Sequence, residues 1–269
     1  MARYQATIAY DGTAFRGFQA QPGFRTVEGE LRSALGSLGR PDEPLLAGGR
    51  TDAGVHAAGQ VIAFDLAWTH PAEELQRALN ALLPGDIACP MLRSAADDFH
   101  PRYHALKRCY RYRVFSAPWP DPLRERYALR AWPAPDVDAM AEAARDLPGK
   151  KDFGAFGSAP REGSHTVRTV LRAEWLPKDE LLEFWIEADA FLFRMVRTIV
   201  GTLLQVGGGR RTRDAFRALL ATPTPASLAS PASRGQARGQ AQGQGKAAAP
   251  APAHGLCLMR IEYPGGGQE

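Results

Sequence analysis

The sequence predicts an α+β protein of two lobes, each an antiparallel sheet backed by helices. Two observations carry that reading. Segments that alternate apolar and polar residues interleave with segments of helical spacing along most of the chain. Residues 1–103 run strand, helix, strand, strand, helix, strand, and a similar rhythm follows them. The lobes are therefore pseudo-symmetric in element order, without a residue-level repeat. The expected boundaries are 1–103 for an N-terminal α+β lobe and 104–222 plus 253–264 for a C-terminal one. Between the two parts of the second lobe, residues 223–252 form a low-complexity insertion.

In the first lobe Tyr4, Ala6, Ile8 and Tyr10 alternate with Gln5, Thr7 and Ala9, a strand with one buried face. Asp11-Gly12-Thr13 is a turn, and Phe15-Arg16-Gly17-Phe18-Gln19 follows as an aromatic and basic stretch. Val27, Leu31, Ala34, Leu35 and Leu38 recur at helical spacing. Thr26 caps that helix, and Glu28 and Glu30 favour its positive end. Residues 60–65 read as a strand. Pro71 suits a first helical position, with Leu75, Ala78, Leu79 and Leu82 along one face. Pro84-Gly85 stops that helix, and residues 86–93 read as a strand.

In the second lobe residues 110–115 read as a strand and 137–147 as a helix, while 167–175 and 181–188 form a hairpin. Leu192, Met195, Val196, Ile199, Val200 and Leu203 recur as i, i+3, i+4, i+7, i+8, i+11, the clearest helix in the chain. Residues 212–220 read as a short helix and 257–263 as a closing strand. Pro223 to Pro250 is rich in Ala, Pro, Ser, Gly and Gln, with Arg234, Arg238 and Lys246 and no acid. Such a segment buries too little apolar surface to offset chain entropy, so disorder is expected there. The tail from Pro264 to Glu269 is expected to be loose.

The 269 residues suffice for a sizeable core, and 45% hydrophobic with 23% charged residues is the composition of a soluble globular protein. A net charge of +4, carried mostly by arginine, is compatible with a polyanionic partner. Cys89, Cys109 and Cys257 are odd in number and far apart, which argues against a disulfide framework or a zinc site. The first residues read as a strand rather than a leader peptide, and no apolar run approaches membrane-spanning length. A cytoplasmic, membrane-free protein is expected.

Chemistry concentrates in residues 47–57. Gly48, Gly49 and Gly54 permit tight turns or close backbone approach, and Arg50 and Asp52 stand two residues apart between them. A guanidinium beside a carboxylate keeps it ionised, and such a held anion can serve as nucleophile or base. His56 closes the stretch and is read as orienting it. A second patch runs from Asp97 to Arg113. On its strand Tyr110, Tyr112 and Val114 face one way, and Arg111 and Arg113 face the other. The aromatics can fill the core, or a tyrosine can stack on a base beside phosphate-binding arginines. His100 and His104 have a metal-ligand spacing, but Pro101 intervenes and no third ligand is evident. A third patch, residues 191–197, sets Arg194 and Arg197 on the helix face opposite the apolar stripe.

Gly-Arg-Thr-Asp-Ala-Gly-Val-His, residues 49–56, resembles the active-site motif of the tRNA pseudouridine synthase A family. The resemblance implies that Asp52 is the catalytic aspartate. Lys-Arg-Cys-Tyr-Arg-Tyr, residues 107–112, resembles the family segment whose first tyrosine contacts the target uridine, which carries that role to Tyr110. Phe-Leu-x-Arg-Met-Val-Arg leading into Thr-Ile-Val-Gly resembles a third family segment, and implies that Arg197 reaches the catalytic acid. An active-site cleft between the lobes follows from that pairing. Arg50 then fills the space left by a flipped base or binds the neighbouring phosphate.

The resemblance covers residues 3–222 and 254–264. It implies isomerisation of uridine to pseudouridine at positions 38 to 40 of the tRNA anticodon arm, by a homodimer. Nothing is oxidised and no group leaves the molecule in that reaction, so no cofactor and no metal is expected.

Overall fold

The computed structural model describes residues 1–159, 164–221 and 246–264. Residues 223–245, most of the expected insertion, lie outside the described residues, as do residue 222 and residues 265–269 of the tail. The chain divides into two compact units, Met1–Cys109 with Cys257–Glu269, and Tyr110–Leu256. Among the described residues no helix is long and apolar enough to cross a membrane.

The first unit holds β1 (Ala2–Tyr10), α1 (Val27–Ser37), β2 (Leu46–Ala47), β3 (His56–Leu66), α2 (Ala72–Leu82), β4 (Ile87–Ser94) and β10 (Leu256–Glu262), whose first residue falls just across the boundary. Its sheet runs β4-β1-β3-β10, with β2 paired to β3. β1 lies antiparallel to β3 and β4, whereas β10 runs parallel to β3 through Cys257 opposite His56. The sheet is therefore mainly rather than wholly antiparallel. Ile8, Leu31, Leu35, Ile62, Phe64, Leu75 and Leu79 are shut off from solvent between sheet and helices. The Thr26 hydroxyl accepts the Gly29 N–H at 3.3 Å and caps α1 as expected. Glu28 does more than complement the helix dipole: its buried carboxylate accepts Ala20 N at 2.9 Å and Leu45 N at 3.1 Å, tying two loops to α1. The apolar stripe of α2 ends at Leu79, since Leu82 is exposed in the last turn.

The second unit holds β5 (Lys107–Phe115, whose residues up to Cys109 belong to the first unit), β6 (Leu129–Arg130), α3 (Val137–Ala144), β7 (Gly149–Asp152), β8 (Val167–Lys178), β9 (Leu181–Ala188), α4 (Met195–Gly207) and α5 (Arg213–Ala221). Its strands run β5-β9-β8-β7, with β6 parallel to β5. The β8–β9 hairpin forms as its alternation predicts. β6 and β7 are too short to leave a periodic signal. Met140, Phe153, Phe156, Phe184, Ile199, Leu203 and Phe216 form the core beneath α3, α4 and α5.

Glu183 shows how β5 and β9 are joined. It is only 2% exposed as a side chain, 2.9 Å from Arg113 and 3.5 Å from Arg111, and accepts the Trp185 indole N–H at 3.0 Å. Burial pushes its carboxyl up. The hydrogen bonds from Arg113 and Trp185 and the nearby Arg111 charge outweigh that, leaving it below the usual carboxylate range. Arg111 and Arg113, offered by the sequence as phosphate ligands, are here structural partners of a buried anion. Because the folded-state pKa is depressed, the stabilisation is present above the unfolded carboxylate pKa and is lost as pH falls through the folded one. Glu183→Ala is expected to cost about 3 kcal/mol at neutral pH. Urea denaturation should show the gap from the parent closing as the pH drops through the acid range.

Candidate active site

Asp52 sits between β2 and β3 on a loop gripped from both sides. Leaving β2, Gly48 N still bonds Val61 O at 2.8 Å. The wholly buried Gln60 then takes over: its Oε1 accepts Gly49 N at 3.2 Å, and its Nε2 donates to Gly49 O at 2.8 Å. The side-chain amide thus supplies the pairing that β3's backbone no longer offers. Thr51 Oγ1 meets the Tyr10 hydroxyl at 2.7 Å, and Thr51 O accepts Phe18 N at 3.1 Å. Beyond Asp52 the chain turns back, with Val55 N on Asp52 O at 3.1 Å and Gly54 N on Phe15 O at 3.3 Å. Gly54 takes φ +78°, a left-handed conformation that a side chain would disfavour.

The outer wall of this grip is residues 11–18. Gly12 N donates to His56 Nδ1 at 3.0 Å. A backbone N–H can only donate, so this nitrogen of buried His56 is the unprotonated acceptor. Asp11 Oδ1, 3.2 Å from the same nitrogen, is held instead by Thr13 N and the Thr13 hydroxyl. His56 thus ties the 11–18 segment to the start of β3, where it stands. Arg108 braces the near side, donating to Gly48 O at 3.1 Å and Arg102 O at 2.7 Å. The Asp52 side chain is half-buried on this frame.

Arg50 is on the same loop, exposed, and in no ion pair among the described residues. The expectation that its guanidinium neutralises Asp52 is thereby corrected. The Gln60 clamp fixes the backbone beside it, and its side chain extends into solvent.

Tyr110 and Arg197 belong to the second unit. Tyr110 is 8% exposed, and Phe191 meets its ring at 5.0 Å and 85°. Its strand neighbour Tyr112 is wholly buried and donates to Pro252 O at 2.8 Å. Arg197 Nε donates to Ala251 O at 2.7 Å, and Arg197 O accepts Ala251 N at 2.9 Å. The Tyr112 hydroxyl and the Arg197 guanidinium thus lie on consecutive carbonyls of one strap of chain. Ala248 N reaches the Thr202 hydroxyl at 3.1 Å, and a side chain at Gly201 would lie 2.4 Å from Ala249 O.

The strap lies in residues 246–252, which the sequence reading assigned to the insertion. That boundary is corrected: although built almost wholly of alanine and proline, these residues are fixed by hydrogen bonds to Arg197 and Thr202 of α4 rather than by large apolar side chains.

A second correction concerns Arg194. Phe193 N bonds Ser158 O at 3.0 Å, so the helix starts only at Met195, and Arg194 takes φ 62° as its cap. It cannot share a helical face with Arg197, and lies over the exposed Phe193 ring at 4.8 Å. His100 Nδ1 accepts the Arg102 N–H at 3.1 Å and closes a local turn.

Tyr10, Gly12, Gly17, Gln60 and the 246–252 strap were not singled out by the sequence. The pair of glycines flanking Phe15 was their available signal, since each marks a place where two backbones touch.

Residues 6–104 and 143–238 match a family model described as tRNA pseudouridine synthase. The protein named tRNA pseudouridine synthase A of Bacillus subtilis (strain 168) is 44% identical over 220 residues, covering 81% of this chain and 89% of that one. Its namesake in Shouchella clausii (strain KSM-K16) is 40% identical over 264 residues, 98% of this chain and 94% of that one. Another, in Geobacillus kaustophilus (strain HTA426), is 40% identical over 262 residues, with 97% and 94% covered. With a family model spanning most of the described sequence and relatives at this identity over four-fifths or more of the chain, the chain belongs to the tRNA pseudouridine synthase A family.

Proposed function

We propose that this chain isomerises uridine to pseudouridine in tRNA, at positions 38 to 40 of the anticodon arm. The observation that carries the reading is Asp52: a carboxylate on a Gly-Arg-Thr-Asp-Ala-Gly-Val-His loop whose backbone is pinned on both sides, in a member of this family. In the reaction the bond between the sugar's anomeric carbon and uracil N1 breaks. The base rotates while held, and uracil C5 bonds to the same sugar carbon. The proton displaced from C5 is balanced by one gained at N1, so mass is unchanged. Asp52 supplies the carboxylate, as nucleophile toward the nucleoside or as base toward the sugar. A pinned backbone places that carboxylate without reorganisation during the step.

Uridine must leave the stack to meet it, at a cost of a few kcal/mol. Arg50, exposed and in no ion pair among the described residues, is available for the vacated space or the adjoining phosphate. Tyr110 is assigned to the uracil face and Arg197 to the catalytic acid. A homodimer acting on tRNA in the cytoplasm completes the proposal.

Purified protein incubated with an unmodified tRNA transcript should form pseudouridine at positions 38 to 40, read by chemical labelling and mapping. Binding should weaken steeply with salt, because phosphate contacts supply most of the affinity. Absence of product, or affinity indifferent to salt, refutes the reading.

A further inference from the structure

A feature beside the Asp52 loop has no part in that scheme. Phe24 is 54% exposed, and the Arg16 guanidinium carbon lies 5.4 Å from its ring centre. Both residues stand on a short excursion that is closed without their side chains. Arg16 N bonds Arg25 O at 2.9 Å, Phe24 N bonds Gln21 O at 3.3 Å, and Gln21 Nε2 donates to Arg16 O at 2.9 Å. The neighbouring Arg25 is anchored to Asp86 at 2.7 and 2.9 Å and to Glu30 at 2.7 Å, with its guanidinium over Phe15. The Arg16 and Phe24 side chains are left facing solvent, and Arg16 is in no ion pair among the described residues.

Arg16 is also tied on both flanks to the catalytic loop. Phe15 O accepts Gly54 N, and Gly17, at φ +92°, packs so closely that a side chain there would lie 2.8 Å from Thr51 O and 3.3 Å from the Asp52 carbonyl carbon. An aromatic ring capped by a planar cation is thus fixed in the same frame as Asp52. A phenyl ring half in water contributes little burial, and the loop does not need it to close.

We infer that Arg16 and Phe24 form a stacking platform for an unpaired nucleobase adjoining the target uridine. The inference rests on the tRNA isomerase reading above. Flipping one nucleotide strips its neighbours of a stacking partner. An exposed aromatic face with a guanidinium plane is the surface on which single-stranded bases stack, whatever their sequence. Offering it close to the catalytic carboxylate offsets part of the flipping cost and favours targets whose neighbours are free to unstack.

The test uses the full-length protein and an anticodon stem-loop RNA carrying 2-aminopurine next to the target uridine. Wild type and Phe24→Trp should quench its fluorescence on binding. Phe24→Ala and Phe24→Leu should lose the quench and bind roughly tenfold more weakly. The salt slope should stay the same, since stacking releases no counterions. Retained quench and affinity in Phe24→Ala overturn the platform, as does full rescue by Leu, which would reduce Phe24 to apolar packing. Either of those results in an enzyme that still makes pseudouridine sinks the platform alone. A wild-type protein that makes none takes the functional reading down, and the platform with it.

Discussion

Asp52→Asn is expected to slow pseudouridine formation by roughly four orders of magnitude, while the Kd for tRNA stays within about threefold. The substitution keeps the size and planarity of the side chain and removes only its charge and one acceptor. The loop should hold its shape, because the bonds described above that position it run through Gly49, Thr51, Gly54, Val55 and the Asp52 carbonyl, all of which the substitution keeps. An amide is neither a competent nucleophile nor a base at neutral pH, so the chemical step fails at its origin. Binding should survive, because affinity resides in cations meeting phosphates, and an anion at the site contributes nothing to that. Single-turnover kinetics on one tRNA transcript measure the first quantity and equilibrium filter binding the second. Turnover within about tenfold of the parent would place the reacting group elsewhere. A collapse of binding in step with turnover would make Asp52 a structural anchor.

The fold was legible wherever the pattern was long. The alternation in β1, the i, i+3, i+4 spacing in α4 and the Thr26 cap each show in the structure as expected, because a buried face repeated over eight or more residues leaves a periodic trace. Elements of two to four residues, such as β2, β6 and β7, carry no period to read. The start of α4 was misplaced for a different reason. Leu192 continues the apolar spacing, yet it points inward from a turn held by a backbone bond to Ser158, a partner far away in sequence. Composition failed at residues 246–252 because it reports apolar bulk, and what fixes Ala248 and Ala251 is hydrogen bonding to Thr202 and Arg197.

The site divides along the same line. Asp52, Arg50 and His56 were legible because they crowd into one short stretch. The residues that aim them come from β1, from the loop after it and from the middle of β3, and nothing local to the motif announces them. The motif's own glycines, both read from the sequence as permitting tight turns or close approach, differ in how closely they are packed. A side chain at Gly48 would lie 2.6 Å from Ile261 Cδ1 and 3.1 Å from Pro101 O, whereas one at Gly49 would meet nothing within 4 Å.

The most sensitive glycine lies outside the motif. A methyl group at Gly12 would stand 2.0 Å from Val55 O and 2.5 Å from Val55 C, atoms that are backbone and cannot rotate away. Val55 is itself tied, its N–H on Asp52 O, while the next residue, His56, takes the Gly12 N–H. Relief must come from separating the 11–18 segment from the catalytic loop, which breaks the Gly54–Phe15 and Phe18–Thr51 bonds together. Gly12→Ala is therefore expected to cost about 3 kcal/mol of stability. It should also slow turnover by roughly a hundredfold through misplacement of Asp52. Gly49→Ala serves as the matched control and should stay within about 0.5 kcal/mol of the parent. Thermal unfolding and single-turnover rates on both variants check the contrast. A Gly12→Ala protein with the parent's midpoint and rate would mean that Asp52 is not aimed by this contact, and the pinned-carboxylate account of the site would lose its support.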